Sequence, residues 1–232
     1  MPKVSLNSRG AVVVTGSSTG IGEACALHLD ALGFQVFAGV RRGEDGVALR
    51  KKSSGRLIPI LIDVTDSTSI STASDTIAAV VKDAGLAALI NNAGIAIPGP
   101  LEILPIEEFR KQLEVNVIGQ LAVTQAFLPM LRKSRGRIVL MSSISGLFAT
   151  PFIGAYAASK FALEAMADAL RVELIPWGIQ VSVIEPGSIA TPVWEKSRKH
   201  SGEIAHQIPP EARELYRSAY NVLRDAAQRA AS

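Results

Sequence analysis

Short apolar runs alternate along the chain with longer segments in which apolar residues recur every three or four positions. The runs are Ala11–Thr15, Gln35–Val40, Leu57–Ile62, Ala87–Asn91, Gly136–Met141 and Ile179–Ile184, and each has the length of a strand. Between them, Ile21–Leu32 has helical spacing and ends at Gly33, a favoured cap residue. Ser67–Asp83 is a Ser/Thr/Ala-rich helix. A long helical pattern starts at Pro105 and carries Ile106, Phe109, Leu113, Val117, Leu121, Thr124, Leu128 and Leu131 along one side. Ala155–Leu174 is a further helix, and Glu211–Ala231 is rich in Ala, Arg and Glu. Alternation of this kind predicts an α/β protein, a doubly wound, mostly parallel sheet with helices packed on it.

Composition narrows the function more than the fold. A chain of 232 residues with 48% apolar residues is most simply one domain, 1–232. The net charge of +3 is small, and no basic stripe with interleaved aromatics points to nucleic acid. No apolar run approaches the ~18 residues of a membrane span, and Ala11–Val14 is too short for the apolar core of a signal peptide. The single cysteine, Cys25, leaves no internal disulfide and fits a cytoplasmic, reducing setting. Cys25 and His28 share a helix, where packing or a solvated face accounts for them. No His/Cys/Asp/Glu spacing suggests a metal.

Candidate chemistry begins at Thr15-Gly-Ser-Ser-Thr-Gly-Ile-Gly22, between the first strand and the first helix. Glycines there permit a tight turn, close approach of a phosphate and close helix–strand packing. The free N–H groups at the helix start favour a diphosphate. The spacing is G-x-x-x-G-x-G, which differs from the usual G-x-G-x-x-G fingerprint. Strand two ends Gly39-Val-Arg-Arg42, with no Asp or Glu between Gly33 and Gly43. A carboxylate there would bind the ribose 2′-hydroxyl of NAD, whereas an arginine grips a 2′-phosphate. One charge-assisted hydrogen bond is worth roughly 1.5–3 kcal/mol. NADP(H) is therefore favoured over NAD(H), against the plainer view of Arg41 and Arg42 as solvated loop charges. Asp63, ending strand three, can accept from an adenine amino group or cap a turn.

The second constellation is Tyr156-Ala-Ala-Ser-Lys160, with Ser143 thirteen positions earlier at a strand end. Residues four apart share a helix face, so the phenol and the ammonium are neighbours. A cation about 4 Å away at an effective dielectric of ~20 is worth roughly 4 kcal/mol. That would lower the tyrosine from its usual ~10 by up to roughly 3 units, into the range of general acid–base catalysis. A Y-x-x-x-K spacing also arises by chance on exposed helices, and the companion motifs decide its meaning.

Together these residues resemble the short-chain dehydrogenase/reductase family in its classical branch. Thr15–Gly22 matches its T-G-x-x-x-G-x-G loop, Asn91-Asn-Ala-Gly94 its N-N-A-G, and Ser143 with Tyr156-x-x-x-Lys160 its catalytic signature. Pro186-Gly187 and Thr191 match the segment that folds over the nicotinamide. Asn116, in Glu114-Val-Asn-Val117, matches the fourth catalytic position; asparagine is also a mediocre helix former, so a kink is expected there. The extended epimerases and dehydratases resemble the chain less, because their glycine loop is spaced differently. The resemblance covers about residues 10–195.

It implies a Rossmann fold and hydride transfer between a nicotinamide and an alcohol or carbonyl. Tyr156 would be general acid or base, Lys160 would lower its pKa and hold the nicotinamide ribose, and Ser143 would orient the carbonyl. Asn116 would hold a water linking Lys160 to solvent. Cofactor contacts would come from Gly16, Ser18, Thr19, Gly20 and Ile21, from Arg41 and Arg42, and from Asp63 and Val64. Asn91, Ala93 and Gly94 would add to them, as would Tyr156 and Lys160, and finally Pro186, Gly187, Ile189 and Thr191.

Apolar residues in the surrounding loops (Ile95, Ile97, Pro98, Leu147, Phe148, Val193, Trp194) suggest a small lipophilic alcohol or ketone. Gly33–Ala38 and Val183–Gly187 look like the steroid and retinol dehydrogenase group. Family members add a seventh strand, whereas 193–232 reads as a helical substrate-loop segment with no apolar run. The helices Pro105–Leu131 and Ala155–Leu174 resemble the family's dimer-forming pair, with Ala155, Ala158, Ala162, Ala165 and Ala169 permitting close approach. A homodimer or homotetramer is expected. The alternative function is a nucleotide-binding protein without turnover.

Overall fold

The computed structural model describes residues 9–206 and 208–219. Six strands form: β1 (Ala11–Val14), β2 (Gln35–Val40), β3 (Leu57–Leu61), β4 (Ala88–Asn91), β5 (Arg137–Met141) and β6 (Gln180–Ile184). They make one parallel sheet in the order β3-β2-β1-β4-β5-β6. Beside β1, Val13 pairs with Phe37 on one side and Leu89 on the other. Because strand side chains alternate between faces, Ala11, Val13 and Phe37 enter one core while Val12, Val14, Val36 and Ala38 enter the other. Both faces are covered, so the central strand β1 reads as an unbroken apolar run, Ala-Val-Val-Val, rather than alternating. This is the doubly wound Rossmann arrangement.

The helices are α1 (Gly20–Ala31), α2 (Gly43–Arg50), α3 (Ser67–Val81), α4 (Ile106–Leu113), α5 (Gly119–Ser134), α6 (Gly154–Glu173), α7 (Pro192–Ala205) and α8 (Pro210–Leu215). α3, α5 and α6 close the larger core, with Ile77, Phe127 and Leu163 fully buried. α1 and α2 close the smaller one through Ala26 and Leu49. α2 is too short and too polar to stand out by periodicity. The long helix expected from Pro105 is interrupted. α4 and α5 are joined by a π turn, Glu114–Ile118, centred on Asn116. Such turns mark helices whose regular bonding has been traded for a side-chain role. Of the helical-looking stretch Glu211–Ala231, α8 covers only the start, and positions past 219 lie outside the described residues.

Strand order sets the site. From β1 the chain moves outward to β2 and β3, then returns to β4 and moves the other way to β5 and β6. The loops leaving β1 and β4 therefore diverge and open a crevice at the carboxyl ends of the strands.

Candidate active site

The crevice is a cavity of about 550 Å3. Its first wall is the loop after β1. Gly16 has φ +65, and a β-carbon on it would lie 2.8 Å from the Ala93 Cα, so the loop and the Asn92–Gly94 segment touch through backbone. A β-carbon on Gly22 would lie 2.3 Å from both Asn92 Nδ2 and Gly16 O. Thr15 Oγ1 accepts the amides of Asn92 and Ala93, each at 3.0 Å. Asn92 Nδ2 donates to the carbonyls of Thr15 (3.0 Å) and Gly16 (3.1 Å). Gly16, Ser18, Thr19, Gly20 and Ile21 all line the cavity at the start of α1, where unpaired N–H groups and the helix dipole favour an anion. Thr15 and Asn92 belong to motifs read from the sequence, yet their clamping role is not legible there, because they follow separate strands, β1 and β4.

Arg41, Asp63 and Val64 line the next stretch. Burial works to raise Asp63, but the Thr65 amide (3.0 Å) and hydroxyl (2.7 Å) and the nearby Arg41 charge outweigh it and hold the carboxyl below its usual range. Arg42 is not among the cavity residues: its guanidinium makes two 3.0 Å bonds to Asp45 and lies 3.1 Å from Glu44, in the first turn of α2. Of the two arginines expected at a 2′-phosphate, only Arg41 lines the cavity.

Ala93 and Gly94 line the cavity, but Asn91 does not. Its side chain is fully buried and donates to Thr124 Oγ1 of α5 at 2.8 Å, so of the contacts expected from Asn91, Ala93 and Gly94 only the last two reach the cavity. Alternation along β4 turns position 91 inward. Asn116 is also fully buried and off the cavity. It accepts the Ile95 amide (2.9 Å) and donates to the Ile95 carbonyl and to Ser159 Oγ, both at 3.0 Å. Gln112, one turn earlier, holds the Ile95 carbonyl and the Ile97 amide at 2.8 Å each. The π turn thus ties the loop after β4 to α6.

Ser143, Tyr156 and Lys160 converge on the cavity. Ser143 caps the short turn Ile144–Gly146, its Oγ accepting the Ser145 amide at 3.1 Å. Burial pushes the half-buried Tyr156 phenol above its ordinary value, and a hydrogen bond with Ser143 opposes that. Lys160 is 4% exposed. Burial pulls it down to about 8, with Glu164 acting in the other direction. Its Nζ donates to the Met141 carbonyl at 2.7 Å and stands 5.5 Å from the centre of the Tyr156 ring. The Y-x-x-x-K spacing alone predicts a cation about 4 Å from the phenol and a lowered tyrosine. In the structure burial and Ser143 set the balance at Tyr156 and leave it raised, because the ammonium is drawn to a strand-end carbonyl.

Pro186, Gly187, Ile189 and Thr191 line the remaining side, followed by α7. α7 brings Val193, Lys196, Ser197 and His200 to the cavity, and Lys196 Nζ donates to Thr19 Oγ1 at 3.2 Å. His200 Nε2 lies 2.7 Å from Glu108 Oε2 of α4. Lys196, Ser197 and His200 do not stand out in the sequence, since nothing local links α7 to residues 92 to 177 positions earlier. Ile95 and Ile97 line the cavity as expected, whereas Pro98, Leu147 and Phe148 do not. Leu147 and Phe148 are more than half exposed, and the Trp194 side chain lies outside the described residues. Among the described residues no group of His, Cys, Asp and Glu could hold a metal, and no helix is long and apolar enough to cross a membrane.

The short chain dehydrogenase family model matches residues 10–202. The 3-amino-tetrahydro-pyrrolizinone reductase of Xenorhabdus hominickii is 42% identical over 213 residues, 92% of this chain and 73% of that protein. The estradiol 17-beta-dehydrogenase 2 of Rattus norvegicus is 39% identical over 90% of this chain, which spans only 57% of that relative's length. An alcohol dehydrogenase from the archaeon Thermococcus sibiricus, solved in complex with 5-hydroxy-NADP, superposes with a TM-score of 0.73 at 25% identity, covering 79% of this chain and 78% of that one. Fold, glycine loop, Ser-Tyr-Lys cluster and these likenesses agree, and the chain belongs to the short-chain dehydrogenase family.

Proposed function

We propose that this chain is an NADP(H)-dependent oxidoreductase that interconverts a lipophilic alcohol and its ketone or aldehyde. The observation that carries the reading is that Ser143, Tyr156 and Lys160 share one cavity with the glycine loop and Arg41. The residues fit a dinucleotide: side chains larger than hydrogen are excluded at Gly16 and Gly22, leaving the backbone N–H groups of the loop open to a diphosphate. Arg41 would meet a 2′-phosphate, Lys196 is placed beside the diphosphate loop, and Ile189 and Thr191 would hold the carboxamide. The NADP analogue bound by the Thermococcus relative supports the same preference. When bound, the nicotinamide supplies or accepts the hydride.

In reduction, Ser143 orients the carbonyl oxygen and Tyr156 gives it a proton. In oxidation the phenolate takes that proton back. Burial keeps Tyr156 in the neutral form that suits the acid role, and Lys160, one turn along α6 and 5.5 Å from the ring centre, would favour the phenolate of the reverse step. Asn116 acts by fixing the loop at Ile95 against α6. Of the segment 193–232, expected to cover the substrate on one nucleotide-binding domain, α7 lies on the cavity wall and supports that role, and positions past 219 lie outside the described residues. Exposed Ile118, Phe161 and Val172 on the helices expected to pair support a homodimer.

Calorimetric titration with NADPH and NADH tests the reading. NADPH is expected to bind tighter, and Arg41→Ala should cost it about 10- to 100-fold while sparing NADH. Equal losses for both would sink the 2′-phosphate assignment, and no binding of either would sink the nucleotide site. A screen of lipophilic ketones and alcohols with the preferred cofactor then names the substrate.

A further inference from the structure

α6 carries three ionisable side chains one turn apart: Tyr156, Lys160 and Glu164. Residues four apart share a helix face, so Lys160 has a titratable neighbour on each side. The reaction proposed above uses the first two and leaves the third unexplained. Glu164 is not on the cavity wall, yet its Oε1 is buried with no hydrogen-bond partner. A buried carboxylate oxygen left this way is costly unless a charge offsets it. Ser142 Oγ is in the same condition. Both face the room left by the missing side chain of Gly146, where a β-carbon would lie 2.8 Å from Ser142 Oγ and 3.0 Å from Glu164 Oε1. Ser142 directly follows Met141, whose carbonyl accepts the Lys160 ammonium at 2.7 Å. Carboxylate, hydroxyl and ammonium are thus gathered around one strand end.

The structure assigns Glu164 as a positioning residue: from behind the cavity wall, its carboxylate, with Oε1 buried, holds Lys160 in the charged form that Tyr156 chemistry needs. This rests on the reading of Tyr156 and Lys160 given above. Burial alone pulls the lysine toward neutrality, and Glu164 is the group that opposes it. The other groups around Lys160 supply no compensating charge. Its own helix adds Tyr156, the end of β5 brings a carbonyl and the hydroxyls of Ser142 and Ser143, and the Ile144–Gly146 turn has no ionisable side chain. The π turn contributes Asn116, which is bonded to Ser159 next door. Without Glu164 the lysine would lose its proton closer to neutral pH and stop favouring the phenolate.

The test needs neither cofactor nor substrate. Lysine side chains are labelled with 13C at Cε in the full chain, the Lys160 signal is identified by its loss in Lys160→Met, and its titration is followed by NMR. The wild-type midpoint is expected near 8. Glu164→Gln, which keeps the shape and removes the charge, should lower the midpoint by about one pH unit. Glu164→Asp keeps the charge and should give a smaller drop, and it serves alone if the glutamine variant does not fold. An unmoved midpoint in the variants would overturn the assignment, whatever happens to their stability. Failure of the wild type to bind NADPH or turn over would count against the oxidoreductase reading and leave this titration interpretable. With an active enzyme, the high-pH limb of kcat should move down with the midpoint, and loss of rate without that movement would also overturn it.

Discussion

The glycine loop and the tyrosine helix share one cavity and are built by opposite means. At the loop, backbone does the work: Gly16 and Gly22 let main chain meet main chain, while Thr15 and Asn92 fasten β1 to β4 by bonds to amides and carbonyls. At the helix, buried side chains do it. Asn116 and Ser159 are fully buried and Lys160 nearly so, each held by a specific bond. A backbone cradle presents fixed dipoles that do not change with pH. A cluster of buried side chains includes groups whose charge depends on the surroundings, so it can move a proton, and it is correspondingly sensitive to charge and pH. The phosphate end is expected to fail by steric intrusion and the proton end by loss of a single ionisable group.

The sharpest break between the two is Tyr156→Phe. Turnover should fall by about 100- to 10,000-fold while NADPH affinity is nearly kept, because the hydroxyl serves the reaction and the loop serves the cofactor. Persistent turnover would remove Tyr156 from the chemistry and revive the reading of a nucleotide-binding protein without turnover. Gly22→Ala should do the reverse. Its β-carbon meets Asn92 Nδ2 and a carbonyl at 2.3 Å, so the loop must move. Urea unfolding should report a loss of about 1–3 kcal/mol, and calorimetry should report weakened NADPH binding.

A subtler contrast is in pH. Lys160 sits near 8 in the fold and near 10.5 when unfolded, so between those values the unfolded chain binds more protons. Stability should therefore rise as pH climbs from about 8 toward 10.5, and the gain should be lost again as pH falls through 8. Lys160→Met should flatten that rise in urea midpoints measured across the range, whereas Gly22→Ala should leave its slope intact. The smallest effect belongs to Arg42→Ala. Its guanidinium is spent on Asp45 and Glu44 in exposed, solvent-screened pairs, so the urea midpoint should be nearly unchanged. NADPH affinity should stay within about two-fold of wild type, against the much larger loss for Arg41→Ala. Comparable losses for the two arginines would show that the loop after β2 rearranges to use both.

Much of the fold was legible because it rests on local periodicity. Each of the six strands lies within one residue of the run that announced it, and α1, α3 and α6 follow the helical spacing closely. α2 is not legible because eight residues, most of them charged or glycine, give too little pattern. The break at Glu114–Ile118 was signalled only by an asparagine among apolar positions. Of the site, the glycine loop and the Tyr156–Lys160 pair were visible because their geometry is encoded within a few residues.

The sequence by itself determined which segments are strands and helices, where a phosphate-friendly turn lies, and that a phenol and an ammonium share a helix face. These are short-range matters of backbone sterics and side-chain period. Only the tertiary structure decided that Asn91 turns to Thr124 and Asn92 to the glycine loop, that Arg41 enters the cavity while Arg42 leaves it, and that α7 carries Lys196 to Thr19. It also decided the charge balance, since burial raises Tyr156 and lowers Lys160 where the spacing alone foretold a lowered tyrosine. The physical reason is common to all of these. They depend on which distant segments are packed together and how much water they exclude, and neither quantity is a property of neighbouring residues.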